Sequence, residues 1–273
     1  MHHAIEVVNL GDYADPRNVL RLAEAAEAAG WEGLFVWDHL AYVWGAPAGD
    51  PWVILSAAAA VTERLKLGTS VSPFPRYRPQ VLAQTMASLD LLSSGRLIFG
   101  VGLGAMPEEF SSFGESGDFR QRAEMTDEGL DLLQRFFSGE ALDFQGEYYT
   151  ARGVTFSPLP LQRPRIPIWI GGESKPAMRR AARWDGWIIG GTDENGNVTR
   201  TPEQLAGQIE AIHQHRSSST PFDVAMTGTS EPGQGEHPQA YARAGLTWWL
   251  ESLHGYRGSM DEMLRRVKAG PAH

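Results

Sequence analysis

Cysteine is absent from the 273 residues, which excludes disulfides, a thiol nucleophile and a zinc–thiolate centre. Positive charge is also short. Against 33 Asp and Glu stand 24 Lys and Arg, a formal net charge of −9, so neither a nucleic acid nor an anionic membrane is expected as partner. No apolar run approaches the roughly 20 residues that span a bilayer. Met1-His2-His3-Ala4-Ile5-Glu6 shows no basic segment followed by an apolar one, so no signal peptide is read and a cytoplasmic location is expected. The sequon Asn197-Val198-Thr199 is then read as chance. There is no HExxH, and His213 and His215 lie two apart on an expected helix and point to different faces, so no metal site is expected. A Walker A sequence is missing as well, which leaves nucleoside-triphosphate chemistry unsupported.

What is present is an apolar share of 42%, ample for a sizeable core, and a regular alternation of strand and helix signals. The stretch from Arg163 to Gly191 shows it most compactly. Ile166 to Ile170 reads as a strand buried on both faces, Gly171-Gly172 ends it, and Ser174 caps a helix that stops near Gly186. A further strand, Trp187 to Ile189, completes a βαβ crossover. The remaining strands are expected at Ala4–Asn9, Gly33–Trp37, Lys66–Val71, Leu97–Val101, Phe222–Thr227 and Leu246–Glu251. Asp15-Pro16 and Asp50-Pro51 are cap-plus-proline helix starts, the second reached through a loop over 41–49. Longer helices are expected at Gln80–Leu92 and Phe119–Phe137, with others at Pro202–His215, His237–Arg243 and Met260–Lys268. Residues 138–164 have no helical period and read as an insertion with a hairpin lying over the barrel. Eight βα units with no antiparallel block favour a closed, all-parallel α/β barrel. A doubly wound sheet would want a glycine fingerprint after the first strand, where the chain has Gly-Asp-Tyr-Ala-Asp. One (β/α)8 barrel over 1–273 is the expectation.

In such a barrel the chemistry sits at the carboxyl ends of the strands. That filter selects Asp38 and His39 after strand two. It adds Thr69, Ser70, Ser72, Arg76 and Arg78 after strand three, and Gly102, Gly104, Glu108 and Glu109 after strand four. Glu173 and Ser174 follow strand five, Thr229 and Ser230 strand seven, and Glu251 ends strand eight. His39 is the only histidine at an expected strand end and the best acid/base candidate, with Asp38 beside it to orient it or hold its charge. The Gly171-Gly172-Glu173-Ser174 turn offers backbone N–H groups and a hydroxyl that suit a phosphate. Gly100-x-Gly102-x-Gly104 has the wrong spacing for a dinucleotide loop and reads as close backbone approach to something flat. Most of the nine Trp are expected to fill the core, with one or two left to wall an apolar pocket.

Four segments together resemble the bacterial luciferase-like family of flavin- and deazaflavin-dependent oxidoreductases. They are GWEGLFVWDHL (30–40), RLKLGTSVSPFPRYRP (64–79), LDLLSSGRLIFGVGLG (89–104) and IPIWIGGESKPAMRRAARWDGW (166–187). The resemblance implies a barrel that holds reduced FMN or a reduced deazaflavin at the strands' carboxyl ends. The flavin branch uses O2 to oxygenate its substrate; the deazaflavin branch transfers hydride and needs no oxygen. On this resemblance Asp38-His39 matches the family's acidic/His pair, and Ser70-Val71 falls at a bulged strand with a non-proline cis peptide behind the ring. Gly172, Glu173 and Ser174 match the phosphate turn, and Gly102 the glycine-rich strand end near the ring.

The leading expectation is therefore an FMN-dependent monooxygenase acting on a small organic molecule. Since no nicotinamide fingerprint is present, a separate flavin reductase would supply the reduced cofactor. The alternative is a hydride-transfer enzyme using the deazaflavin coenzyme F420, for which Arg76 and Arg78 would suit an acidic tail. A non-catalytic flavin-binding barrel is a reading from another class. A sugar-phosphate isomerase or aldolase barrel is disfavoured, because no lysine stands at an expected strand end. The family also implies a homodimer.

Overall fold

Local capping sets most helix starts in the computed structural model, which describes residues 1–40, 44–193 and 197–272. Part of the loop expected over 41–49 thus lies outside the described residues. Helix α1 (Pro16–Ala28) begins where the Asp15 carboxylate accepts from the Arg17 N–H, and α2 (Pro51–Val61) where Asp50 accepts from Val53 at 2.9 Å. Helices α3 (Pro79–Leu92), α4 (Glu108–Ser111) and α5 (Phe119–Ser138) follow. Next come α6 (Lys175–Ala181), α7 (Pro202–His213), α8 (Glu236–Arg243) and α9 (Met260–Lys268). Thr201 with Gln204, and Ser259 with Glu262, close reciprocal capping boxes at α7 and α9.

The strands are β1 (His2–Val7), β2 (Gly33–Val36), β3 (Lys66–Thr69), β4 (Ser72–Pro73) and β5 (Leu97–Gly102). They continue as β6 (Ala141–Gln145), β7 (Thr150–Thr155), β8 (Ile168–Gly171), β9 (Gly186–Ile189), β10 (Asp223–Gly228) and β11 (Trp248–Leu253). The parallel order β3-β2-β1-β11-β10-β9-β8-β5 closes on itself because β3 also pairs with β5. This is the expected eight-stranded barrel. Strand alternation divides its side chains: Ile5 and Val7 of β1 face the helices, while Ala4 faces the interior with Phe35, Ile98, Trp169, Ile188, Ala225, Trp248 and Leu250. These interior side chains plug the barrel. The large rings fit because neighbours are glycine: a Cβ on Gly68 would stand 2.4 Å from the Phe35 ring, and one on Gly186 2.4 Å from Trp169.

Three expectations need correction. Strand three does not run unbroken to Val71: it stops at Thr69 and pairing resumes at Ser72, while the Ser70–Val71 peptide between them is cis, as the family resemblance implied. Strand eight does not stop at Glu251 but runs to Leu253, as its buried residues continue. The hairpin of the insertion, β6 against β7, lies on the outer helical layer rather than over the barrel mouth. The Glu128 carboxylate of α5 accepts from the N–H groups of Glu147, Tyr148 and Tyr149 at 2.8, 3.0 and 2.6 Å. The Phe156 ring packs against Phe136 and, edge-on, Phe137 of the same helix. Among the described residues, no helix is long and apolar enough to cross a membrane.

Candidate active site

A cavity of about 660 Å³ opens at the carboxyl ends of the strands. Of the expected site residues, Asp38, His39, Ser70, Val71 and Gly172 line it. Gly102 lies behind the wall: a Cβ there would approach Val71 Cγ2 to 2.7 Å, and one on Gly100 would fall 1.8 Å from the Thr69 carbonyl oxygen. The glycine-rich end of β5 therefore does allow a close approach, but to the Ser70–Val71 bulge, and Val71 in turn faces the cavity. Trp37 and Trp44 are the two tryptophans left to wall it. Their rings lie 5.5 and 5.2 Å from the His39 ring.

Asp38 does not orient His39. Its carboxylate turns toward the segment after β4, where Arg76 makes an ion pair with it and the Tyr77 hydroxyl donates at 2.6 Å. The partner of His39 is Glu109, with Nδ1 3.1 Å from Oε1. The Leu40 N–H donates to the same oxygen at 2.6 Å, and Arg76 Nη1 reaches Oε2 at 3.2 Å. Burial opposes ionisation of Glu109, yet the hydrogen bonds from His39 and Leu40, with the charges of His39 and Arg76, outweigh it and hold the carboxyl below its ordinary range. For Asp38 burial prevails and pushes the carboxyl up, against the pull of Arg76, Ser72 and Tyr77. With Nδ1 committed to Glu109, Nε2 is the ring atom of His39 left to exchange a proton with a ligand.

The same network assigns Arg76, whose guanidinium bridges Asp38 and Glu109 inside the protein and cannot reach out to an acidic cofactor tail. Arg78 is exposed and lies away from this cavity. Glu173 and Ser174 are not brought into the cavity: Glu173 pairs with Arg200, and the Ser174 hydroxyl caps α6 by accepting from Ala177 at 3.3 Å. Glu251 and Ser230 are buried outside this cavity and bond each other, with Arg257 and Arg266 on Glu251. Among the described residues no group of three His, Asp or Glu could hold a metal.

Two titratable lining residues were missed by sequence reasoning. His254 follows β11 and faces the cavity, and burial with the Arg257 charge beside it lowers its pKa. The two strand residues beyond Glu251, both compatible with a continuing strand, were the available signal. Glu6, at the inward face of β1, is buried in the cavity floor. A lone acid among the apolar residues of the first strand was its signal.

A closed parallel barrel with a ligand-sized cavity and a His–Glu pair at the strands' carboxyl ends defines a barrel enzyme. The chain belongs to the luciferase-like monooxygenase family, whose model matches residues 2–266, and it is an oxidoreductase of that family. An uncharacterised protein of Mycobacterium tuberculosis is 30% identical over 221 residues, 74% of each chain. The F420-dependent glucose-6-phosphate dehydrogenase of Beutenbergia cavernae is 39% identical over 219 residues, 77% of this chain and 63% of that enzyme. Among solved structures, a monooxygenase from Streptomyces bottropensis superposes with a TM-score of 0.80 at 22% identity, covering 98% of this chain and 97% of that one. Its likeness is one of fold.

Proposed function

We propose that the chain transfers a hydride between a bound deazaflavin and a small organic substrate. The observation that carries this reading is the His39–Glu109 couple, 3.1 Å apart, on a cavity otherwise walled by Val71, two tryptophans and glycine backbone. Deazaflavin is preferred to FMN on the relatives. Those at 39, 37 and 34% identity are named F420-dependent dehydrogenases, whereas the FMN-bound neighbour is 14% identical and speaks to fold alone.

The lining suits a flat ring with a polar tail. Val71 projects from the bulge, and Gly190 has nothing within 4 Å of where a Cβ would stand, so its backbone is open to the cavity. The Gly171-Gly172 turn, with Arg200 beside it on the Gly190 carbonyl, would hold a cofactor phosphate. When bound, the reduced deazaflavin supplies a hydride and needs no oxygen. His39 Nε2 exchanges a proton with the bound ligands, while ionised Glu109 fixes the ring. Arg76, anchored by Asp38, holds Glu109 in place.

The test is anaerobic titration of cofactor-free protein with reduced F420 and, separately, reduced FMN, each followed by an oxygen pulse. The expected result is tighter binding of F420 and no oxygen-dependent transient. Tighter binding of FMN with such a transient would return the reading to a monooxygenase fed by a separate reductase. Binding of neither cofactor would overturn both.

A further inference from the structure

Glu6 faces the same cavity and takes no part in the His39 network. Its carboxyl reaches across the barrel interior: Oε1 accepts from the Ser70 hydroxyl at 2.5 Å and from the Thr227 hydroxyl of β10 at 3.0 Å. Oε2 is buried and forms no hydrogen bond within the protein. Glu6, Ser70, Val71 and Thr227 all line the cavity, so this carboxyl is within reach of a bound ligand. Burial pushes its pKa up to about 7, and the groups that oppose the rise, the Ser70 and Thr227 hydroxyls and the nearby Trp37 indole, carry no charge. In its neutral form Glu6 has one oxygen satisfied twice and one O–H with nothing to donate to. A buried neutral acid of this kind is an established way to present a proton to a ligand oxygen.

Resting on the hydride-transfer reading above, we propose that Glu6 is a second acid/base group of the site, whose Oε2–H donates to the carbonyl oxygen or imine nitrogen of the substrate. The cavity then takes C=O or C=N compounds, or in reverse the corresponding alcohols or amines. In the forward direction the substrate carbon gains a C–H bond from the hydride of the reduced deazaflavin. The π pair moves to the heteroatom, which bonds the Glu6 proton as the Oε2–H bond breaks. Substrate is reduced by two electrons and the deazaflavin oxidised by two. Glu6 is left as a carboxylate held by the Ser70 and Thr227 hydroxyls and recovers its proton from water. His39 remains free to exchange protons on the cofactor side.

Two measurements test this. Infrared spectra of cofactor-free protein at pH 6 are expected to show a protonated-carboxyl band in the wild type that Glu6→Gln removes. The anaerobic holoenzyme with reduced F420 is then mixed with a panel of aldehydes, ketones and imines. At least one is expected to oxidise the cofactor, and Glu6→Gln to slow that oxidation about a hundredfold or more, with F420 affinity retained and a melting temperature no lower than that of the wild type. Should Glu6→Gln fail to fold, Ser70→Ala serves instead: it keeps the carboxyl band and is expected to slow oxidation less. A missing band, a holoenzyme inert to the whole panel, or a wild-type rate in Glu6→Gln overturns the proposal. If reduced F420 does not bind the wild type, the cofactor reading is what has failed, and the proposal loses its reductant whatever the infrared result.

Discussion

Glu6→Gln also tests the burial argument with no ligand present. In the folded chain the Glu6 carboxyl keeps its proton up to about pH 7, against an ordinary value of 4.5. Between those values the folded state binds a proton that the unfolded state has released. Stability therefore falls as pH rises through that window, the opposite of the usual carboxylate case. At about 1.4 kcal/mol per pH unit, the span from 4.5 to about 7 amounts to about 3 kcal/mol lost by pH 8. Glutamine keeps the shape and an acceptor oxygen for Ser70 and Thr227 but never ionises. The two proteins should thus have similar stability near pH 5, and the variant should lead by up to about 3 kcal/mol at pH 8. Other titrating groups are common to both and cancel in the difference. Urea unfolding of the cofactor-free proteins across this range is the assay. Parallel stability profiles, or a wild type that leads at pH 8, would refute the reasoning.

Other expectations follow from the same geometry. His39→Ala should lower turnover about a hundredfold or more while cofactor titration stays close to wild type, and Glu109→Gln should give a smaller loss with an altered pH–rate profile; unchanged turnover in His39→Ala would remove His39 from the chemistry. Gly100→Ala sets a Cβ 1.8 Å from the Thr69 carbonyl oxygen, a backbone atom that cannot swing aside. The cost should be about 3 kcal/mol or more, read as a lowered urea midpoint or loss of soluble protein, and wild-type stability would contradict the packing described. Val53 and Val61 on α2, with Val81 and Leu92 on the adjacent α3, are exposed apolar side chains. A homodimer covering these helices is expected in sedimentation, weakened by Val81→Lys; a monomer at micromolar concentration would count against it.

What the residues determine by themselves is whatever is decided within one turn or one strand. Asp15, Asp50, Ser174, Thr201 and Ser259 each cap a helix through N–H groups two or three residues away, so the βα rhythm and the eight-unit barrel could be read directly. Strand ends likewise pointed to Asp38, His39 and Ser70 as neighbours of one cavity, and the family resemblance added Val71. Only the closed barrel decided which carboxylate meets His39. Glu109 lies 70 residues away, and it faces inward because α4, a single turn without periodicity to reveal it, rotates it there and turns its neighbour Glu108 elsewhere. Arg76 looked like a loop cation until the tertiary fold set two buried carboxylates around it. Glu6 owes its character to Thr227, 221 residues on, and to the burial that makes a charge costly. Adjacent residues record caps and alternation. The pKa of a side chain depends on atoms that only folding brings near.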